Sequence, residues 1–200
     1  MTETWLNVGC GPHRAPAPWI NLDVHRGDGV DPDIVVADNM RPCADWADGS
    51  VDRIYLGHVL EHVPMDELGP FLADLQRALR PGGEIAVVGP DVLRSIERWH
   101  AGLEPWNLVI STLEGPDYYP ADGGHQIAEN PNAAWRYARH WWNCTEARVV
   151  RILQNTGWID VTGCDLTDPT LTTWPVVAFA PWQMAVTART ATDADTPTVS

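Results

Sequence analysis

The 200-residue chain contains no lysine, since all 13 of its basic residues are arginines. This absence excludes chemistries that depend on a lysine ammonium group: a Walker-type phosphate site, the strand lysine of kinases and the Schiff base of pyridoxal phosphate enzymes. With 27 acidic residues the formal net charge is −14, which repels polyanions. We therefore expect no nucleic-acid partner.

Closely spaced cysteines and long apolar runs are also missing. The four cysteines lie far apart without a C-x-x-C pair, so we expect reduced thiols, no disulfide framework and no bound metal. No apolar run approaches the roughly 20 residues of a membrane span, and the first residues lack the basic and apolar regions of a secretory signal. These features predict a cytoplasmic protein with no membrane partner.

Composition and patterning predict one domain with an insert. At 44% hydrophobic residues the chain can bury one substantial core, which we assign to residues 1–186. Residues 92–143 are rich in tryptophan and tyrosine and are expected to form a lid over a ligand crevice. The polar residues 187–200 lack apolar periodicity and are predicted to be disordered.

Apolar runs and helical periodicity predict the individual elements. The predicted strands are residues 5–8, 19–24, 33–37, 52–57, 84–89, 158–161 and 176–180, and the predicted helices are residues 65–79 and 145–155. The first of these helices is expected to end at Pro81-Gly82-Gly83. Alternating strands and helices indicate an α/β fold with a parallel sheet.

The most informative motif is the segment LNVGCGP at residues 6–12. Its turn, Gly9-Cys10-Gly11, follows an apolar strand and lets the backbone approach a ligand, because glycine has no Cβ. Asp23 ends the next apolar run and is placed to accept hydrogen bonds from a ribose diol. A dinucleotide motif requires a third glycine where this chain has His13, so the turn predicts a nucleotide-type cofactor without identifying it.

Five segments together resemble the class I S-adenosylmethionine (SAM)-dependent methyltransferases in order and spacing. They are residues 6–12, Asp23, residues 35–39, residues 50–63 and residues 79–91. Within that superfamily the chain is most similar to small methyltransferases that often accompany sugar and cell-surface polysaccharide genes. The resemblance implies SAM as cofactor and methyl transfer to a small-molecule or saccharide-like acceptor, with oxygen as the favoured acceptor atom.

The resemblance also implies a fold and a set of cofactor contacts. The fold is a three-layer Rossmann-like α/β fold with a seven-stranded, mostly parallel sheet and an antiparallel last strand. The implied contacts are Gly9, Cys10, Gly11, Gly57 and His58 for the methionine part, Asp23 with Val24 for the ribose, and Asp38 with Asn39 for the adenine.

One departure from the family pattern concerns the first helix. Only twelve positions separate Gly11 from Asp23, and three prolines lie between them, which leaves little room for a helix. Without that helix, its positive N-terminal dipole does not help to hold the cofactor carboxylate. We expect His13 or Arg14 to take this role, and the fold to have a reduced first helix.

A hydroxyl acceptor would profit from a general base near the methyl group. The candidate catalytic residues are His62, Glu61, Asp91, His140 and His125. Each has a structural alternative of equal weight. Glu61 would charge the start of the following helix, His140 would be a surface residue, and His125 would close a turn.

The segment from His58 to His62 also spells H-x-x-E-H, an inverted zinc-protease motif. That motif needs both histidines on one face of a stable helix, whereas this segment directly follows a strand and meets Pro64 two residues later. The sequence therefore disfavours zinc at this motif.

Two other classes of protein remain open for this sequence. An NAD(P)-dependent oxidoreductase would use a similar sheet, but the third glycine is missing and a chain without lysine has no Tyr-x-x-x-Lys pair. A non-catalytic cofactor-binding or scaffold protein would retain the fold. Exposed tryptophans would equally suit a homodimer surface, so the oligomeric state stays open.

Overall fold

A computed structural model of the chain describes residues 3–11, 13–24, 33–38, 40–114, 140–175 and 180–195. The strands are β1 Trp5–Val8, β2 Trp19–Asp23, β3 Ile34–Val36, β4 Val51–Gly57, β5 Leu79–Pro90, β6 Ile159–Cys164 and β7 Gln183–Arg189. The α-helices are α1 Leu68–Ala78, α2 Val92–His100, α3 Trp106–Glu114 and α4 Glu146–Asn155. Short 3₁₀ helices cover Leu60–His62, Pro169–Thr173 and Asp193–Asp195.

The strands form one seven-stranded sheet in the order β3-β2-β1-β4-β5-β7-β6. Strands β1 to β5 pair in parallel, and β7 lies antiparallel between β5 and β6. The predicted α/β fold, with a mostly parallel seven-stranded sheet and an antiparallel last strand, is confirmed. The strand order reverses between β1 and β4, and such a reversal opens a ligand crevice at the carboxyl ends of the strands.

The main core lies between the sheet and the helices α1 and α4. Helix α1 buries one face at three- and four-residue spacing, as the sequence predicts, and α4 adds two further core residues. The buried apolar side chains are Leu68, Phe71, Leu72, Leu75 and Ala78 of α1 with Val149 and Leu153 of α4. Each of the larger ones contributes roughly 1.5–3 kcal/mol of burial free energy.

The opposite face of the sheet is covered by aromatic side chains from non-helical segments. Trp19 and Trp174 lie with their ring centroids 5.8 Å apart, and Leu171 and Tyr55 belong to the same buried cluster. Here a layer of tryptophans occupies part of the space that helices cover in a doubly wound sheet.

The described residues between β1 and β2 contain no helix, in line with the predicted reduction. The side-chain amide of Asn21 instead forms hydrogen bonds that hold the extended segment between β1 and β2 in place. Its Oδ1 accepts from Ala15 N at 2.9 Å and from Asn7 Nδ2 at 2.8 Å, and its Nδ2 donates to Ala15 O at 3.1 Å. This buried network fixes the path of the chain where a first helix would otherwise stand.

Helix α1 ends earlier than predicted. Leu79 is already extended and pairs with Val51 as the first residue of β5, so the helix stops at Ala78. The Pro81-Gly82-Gly83 segment therefore lies inside β5, next to an irregularity in its pairing with β4.

The C-terminal region differs from the prediction. The last strand of the described residues is β7 at Gln183–Arg189, which the sequence analysis did not predict, whereas the strand predicted at residues 176–180 falls largely on residues 176–179, outside the described part. Order also continues past residue 186, because residues 187–189 belong to β7. Arg189 holds this polar end, since its guanidinium donates to Asp160 at 2.5 Å and to Asp195 at 2.8 Å. Residues 196–200 lie outside the described part.

Two further findings concern membrane-spanning helices and the cysteines. Within the described residues, no helix is both long enough and apolar enough to cross a bilayer. All four cysteines lie within the described residues, are buried and form no disulfide bond.

Candidate active site

The glycine turn after β1 packs closely against the segment that follows β4. Gly9 and Gly11 have φ values of +67° and +49°, a region that side chains with a Cβ rarely adopt. A Cβ on Gly9 would lie 2.5 Å from Val59 Cγ2, whereas one on Gly11 would meet no atom within 4 Å. The turn therefore requires glycine at position 9 for space as well as for conformation.

Gly9→Ala is expected to lower the free energy of unfolding by about 2 kcal/mol, because the positive φ and the contact with Val59 both oppose a Cβ. Gly11→Ala is the matched control and should lose about 1 kcal/mol, since only its φ is unfavourable. Urea unfolding followed by circular dichroism measures both losses. Equal losses would contradict the close packing of Gly9 on Val59.

A cavity of about 260 Å³ opens at the carboxyl ends of β1 to β4. Asp23, Val24, Asp38 and His58 line it, together with Gly9. The cavity lies where the strand order reverses, which is the position of a nucleotide crevice in such sheets. The structure thus brings together the ribose and adenine positions predicted from the sequence, except Asn39, which lies outside the described residues.

The two carboxylates of this cavity differ in their surroundings. Asp23 Oδ2 accepts a hydrogen bond from Gly11 N at 2.7 Å, which ties the glycine turn to the end of β2. A carboxylate offers about four acceptor positions, so this bond is compatible with a diol at the same group. Asp38 Oδ1 accepts from the backbone of Met40 and Arg41 at 2.9 and 2.8 Å, so it also shapes the turn after β3.

A second cavity of about 480 Å³ adjoins the first and shares Gly9, His58 and His62 with it. Its lining includes the remaining predicted methionine-side positions, namely Cys10, Gly11, His13 and Gly57. Arg14 is exposed and is not among the residues that line either cavity. The structure therefore brings His13, and not Arg14, to the candidate site.

His58 stands between the two cavities in a fixed orientation. It has a φ of +56°, which is uncommon for a residue with a side chain and often occurs at functional sites. Gln183 Oε1 accepts from Ala180 N at 2.8 Å, so its amide nitrogen faces His58 Nε2, at 2.6 Å. His58 Nε2 is then the acceptor, and Nδ1, 3.2 Å from Glu61 Oε1, carries the proton.

Three further titratable side chains meet beside the larger cavity. Ligand-type atoms of Glu61, His62 and His140 all lie within 4.8 Å of one another. The rings of His62 and His140 pack edge to face with centroids 4.9 Å apart. Both histidines line the larger cavity, while Glu61 is buried behind them. Glu61 is thus no surface charge at a helix start, and His140 is no surface residue.

Hydrogen bonds from the segment after the insert hold this cluster together. Trp141 N donates to Glu61 O at 2.8 Å, and Trp142 Nε1 lies 3.2 Å from Leu60 O and 3.1 Å from Val63 O. His140 Nδ1 lies 2.9 Å from the carbonyl oxygen of Thr112 in α3. The backbone around His140 is therefore fixed on the 3₁₀ helix that carries Glu61 and His62.

The cluster combines a carboxylate with a neutral imidazole. Burial by itself would raise the pKa of Glu61, but the contact with His58 and the charges of His62, His58 and His140 outweigh it and hold that pKa below its ordinary value. Burial lowers the pKa of His140, against the charge of Glu61 and the bond to Thr112. His140 is therefore neutral near pH 7, the form that accepts a proton.

Of the two remaining catalytic candidates, Asp91 is not brought to the cavities. Asp91 caps α2: its Oδ1 accepts from Leu93 N and Arg94 N at 3.0 and 3.3 Å, and its Oδ2 accepts from Glu146 N at 3.0 Å. It lines neither cavity, so its role is structural. His125 lies outside the described residues.

None of the described tryptophans of the predicted insert lines either cavity. Trp99 and Trp106 are exposed and contact each other with centroids 4.8 Å apart, and Trp142 belongs to the core. The tryptophan that lines the larger cavity is Trp182, which together with its neighbour Gln183 escaped the sequence analysis. No motif surrounds this pair in the sequence, so nothing there could have marked it.

Comparison with known proteins identifies relatives of the fold. Residues 6–87 match a family described as a methyltransferase domain. Among curated proteins, no sequence matches the chain. A solved structure of a SAM-dependent methyltransferase from Archaeoglobus fulgidus is similar with a TM-score of 0.52 at 13% identity, over 94% of this chain and 86% of that one.

A second solved structure, the CurJ carbon methyltransferase, is similar with a TM-score of 0.51 at 16% identity. The match covers 95% of this chain and 49% of that one, so the chain spans about half the length of this relative. At such identities the likeness establishes the fold, which is that of the class I methyltransferases.

The matched domain contains the glycine turn, Asp23 and the H-x-x-E-H segment, and ends within β5. The domain and the fold support a SAM-dependent methyltransferase with SAM as its cofactor. The match over residues 6–87 and the shared fold agree with the class of enzyme and the cofactor that the sequence motifs predict.

Proposed function

We propose that the protein transfers the methyl group of SAM to a hydroxyl oxygen of a small-molecule or saccharide-like acceptor. One observation carries this proposal: a cavity with a ribose-type carboxylate, Asp23, adjoins a larger cavity that is lined by two histidines, His62 and His140. A methyl donor in the first cavity would present its sulfonium at the boundary, where His58 stands.

The cofactor is proposed to span both cavities. Its adenosine would occupy the smaller one, with the ribose on Asp23 and the adenine beside Asp38, and its methionine part would cross the glycine turn at Gly9 and Gly11. Because glycine leaves the backbone open, the turn allows the close approach that this path requires.

The larger cavity suits an uncharged acceptor with hydroxyl groups. Its described lining residues include no arginine, and its polar groups are imidazole, hydroxyl and amide side chains. Its volume of about 480 Å³ lies within the usual range of small-molecule sites. The net charge of −14 also disfavours polyanionic acceptors.

Base catalysis is assigned to the histidines of the larger cavity. The transfer breaks the bond from sulfur to the methyl carbon and forms a bond from that carbon to the acceptor oxygen, whose proton must leave. A neutral imidazole of His62 or His140 would take that proton. The nearby Glu61 carboxylate would stabilise the resulting positive charge.

The proposal predicts label transfer from SAM to an acceptor. The protein is incubated with SAM carrying an isotopically labelled methyl group and with extracts or defined sugars, and products are identified by mass spectrometry. We expect a labelled O-methyl product that requires intact protein. Label found only on nitrogen or carbon atoms of products would contradict the assignment to oxygen.

His13 is proposed to bind the cofactor carboxylate in place of a first helix. His13→Ala should weaken SAM binding roughly two- to fivefold, the usual value of an exposed charged contact. Arg14→Ala is the matched control, and calorimetry should find its affinity unchanged. If Arg14→Ala weakened SAM binding and His13→Ala did not, Arg14 and not His13 would bind the cofactor carboxylate.

The reducing cytoplasm is the proposed location of the protein. All four cysteines are buried and form no disulfide bond, as is usual for proteins of reducing compartments.

A further inference from the structure

The cluster behind the larger cavity offers the donor set of a divalent cation site. Glu61, His62 and His140 each provide one ligand-type atom, and these atoms lie within 4.8 Å of one another. Two imidazoles and one carboxylate suit first-row transition metals such as Zn²⁺ better than Mg²⁺ or Ca²⁺, which prefer oxygen ligands.

An unpartnered carboxylate oxygen provides independent support. Glu61 is only 1% exposed, and its Oε1 has no hydrogen-bond partner among the described residues, although His58 Nδ1 lies 3.2 Å away in poor alignment. A buried carboxylate oxygen that lacks a well-aligned donor is unfavourable. A cation between Glu61 and the two histidines would satisfy this oxygen.

The surroundings of His140 match those of a metal ligand. Its Nδ1 lies 2.9 Å from the carbonyl oxygen of Thr112, so Nδ1 carries the proton and Nε2 presents its lone pair. In metal-ligating histidines the N–H of the second ring nitrogen commonly donates a hydrogen bond to a backbone carbonyl in this way. This bond fixes the tautomer and the ring orientation.

The cluster is also open on one side. His62 and His140 line the larger cavity together with Tyr55 and Thr112, so an ion held by them could be reached from the cavity. Metal sites that act on substrates keep such an open coordination position, whereas structural zinc sites are closed by four protein ligands.

We propose that Glu61, His62 and His140 bind one divalent transition-metal ion beside the larger cavity. The site takes Glu61 and His62 from the H-x-x-E-H segment but uses His140 in place of His58, whose Nε2 already accepts from Gln183 at 2.6 Å. An ion about 2.1 Å from each ligand atom needs those atoms closer than 4.8 Å. Small rotations of the half-buried His62 would close this gap.

Metal binding would change how the acceptor is handled, a consequence that rests on the proposed function. An imidazole that coordinates an ion has no lone pair left for a proton, so loading the site would replace base catalysis by coordination of the acceptor hydroxyl. A coordinated hydroxyl releases its proton to solvent more readily, because the cation stabilises the alkoxide.

Metal titration tests the site directly. Chelator-dialysed protein is titrated with Zn²⁺ by calorimetry, and Co²⁺ binding is followed by visible absorption. We expect one Zn²⁺ per chain, with affinity reduced about tenfold or more in His140→Ala and in Glu61→Gln. His100→Ala, which removes an exposed histidine at the end of α2, should bind Zn²⁺ like the parent protein.

Two results would overturn the site: no Zn²⁺ uptake by folded protein, or unchanged affinity in a folded His140→Ala or Glu61→Gln variant. Titrating the same samples with S-adenosylhomocysteine separates the two proposals. Binding of S-adenosylhomocysteine without Zn²⁺ uptake would refute the metal site and leave the proposed function standing. Zn²⁺ uptake without S-adenosylhomocysteine binding would refute the proposed function and leave the metal site standing.

Discussion

Replacing His140 or His62 by alanine is expected to lower methyl transfer about 100-fold or more while the affinity for the cofactor stays unchanged. General base catalysis accounts for roughly 10²–10⁴ in rate, and both imidazoles face the larger cavity in which we place the acceptor. Turnover is measured by label transfer from SAM in the presence of a chelator, so that base catalysis is observed without a bound ion.

The control for this prediction is His100→Ala, which leaves both cavities intact and should keep parental turnover. Cofactor affinity is followed by calorimetry with S-adenosylhomocysteine on each variant. Parental rates in both His62→Ala and His140→Ala would show that alignment of donor and acceptor suffices and that neither histidine acts as a base.

Asp23→Ala is expected to weaken S-adenosylhomocysteine binding about 100-fold. A hydrogen bond to a charged group contributes about 1.5–3 kcal/mol, and the change removes those to the ribose diol and the one from Gly11 N. Because the bond to Gly11 also holds the glycine turn at the end of β2, both the ribose and the methionine contacts should suffer. Calorimetry on the purified variant gives the dissociation constant.

Asp165→Ala is the matched control, since it removes an equal charge from an exposed loop after β6. Its affinity for S-adenosylhomocysteine should equal that of the parent protein. Thermal unfolding distinguishes loss of contacts from loss of the fold. A folded Asp23→Ala variant that binds S-adenosylhomocysteine with parental affinity would contradict the assignment of the ribose to Asp23.

Local patterns were sufficient to predict the first half of the fold. The strand at residues 5–8 agrees with the observed β1, and α1 follows from leucines at three- and four-residue spacing. Such elements are encoded by periodicity within a short window. The strand Gln183–Arg189 was missed because it mixes polar and apolar residues, and its pairing with β5 and β6 depends on partners far away in the sequence.

The candidate site, like the fold, could be predicted from the sequence only in part. The cofactor side was predictable, because Gly9, Gly11 and Asp23 lie in one short motif that connects β1 and β2. The acceptor side was only partly predictable, since His140 meets Glu61 through Trp141, whose amide reaches across the fold to the Glu61 carbonyl. Asp91 lay beside a familiar motif, yet its carboxylate is used to cap α2.

The central claim is that the cavities at the reversal of strand order hold SAM. Calorimetric titration of the unmodified protein with S-adenosylhomocysteine, and in parallel with NAD, tests it most directly. We predict saturable binding of one S-adenosylhomocysteine per chain, competition by SAM and no binding of NAD. A folded protein that binds NAD, or that binds neither ligand, would contradict the account.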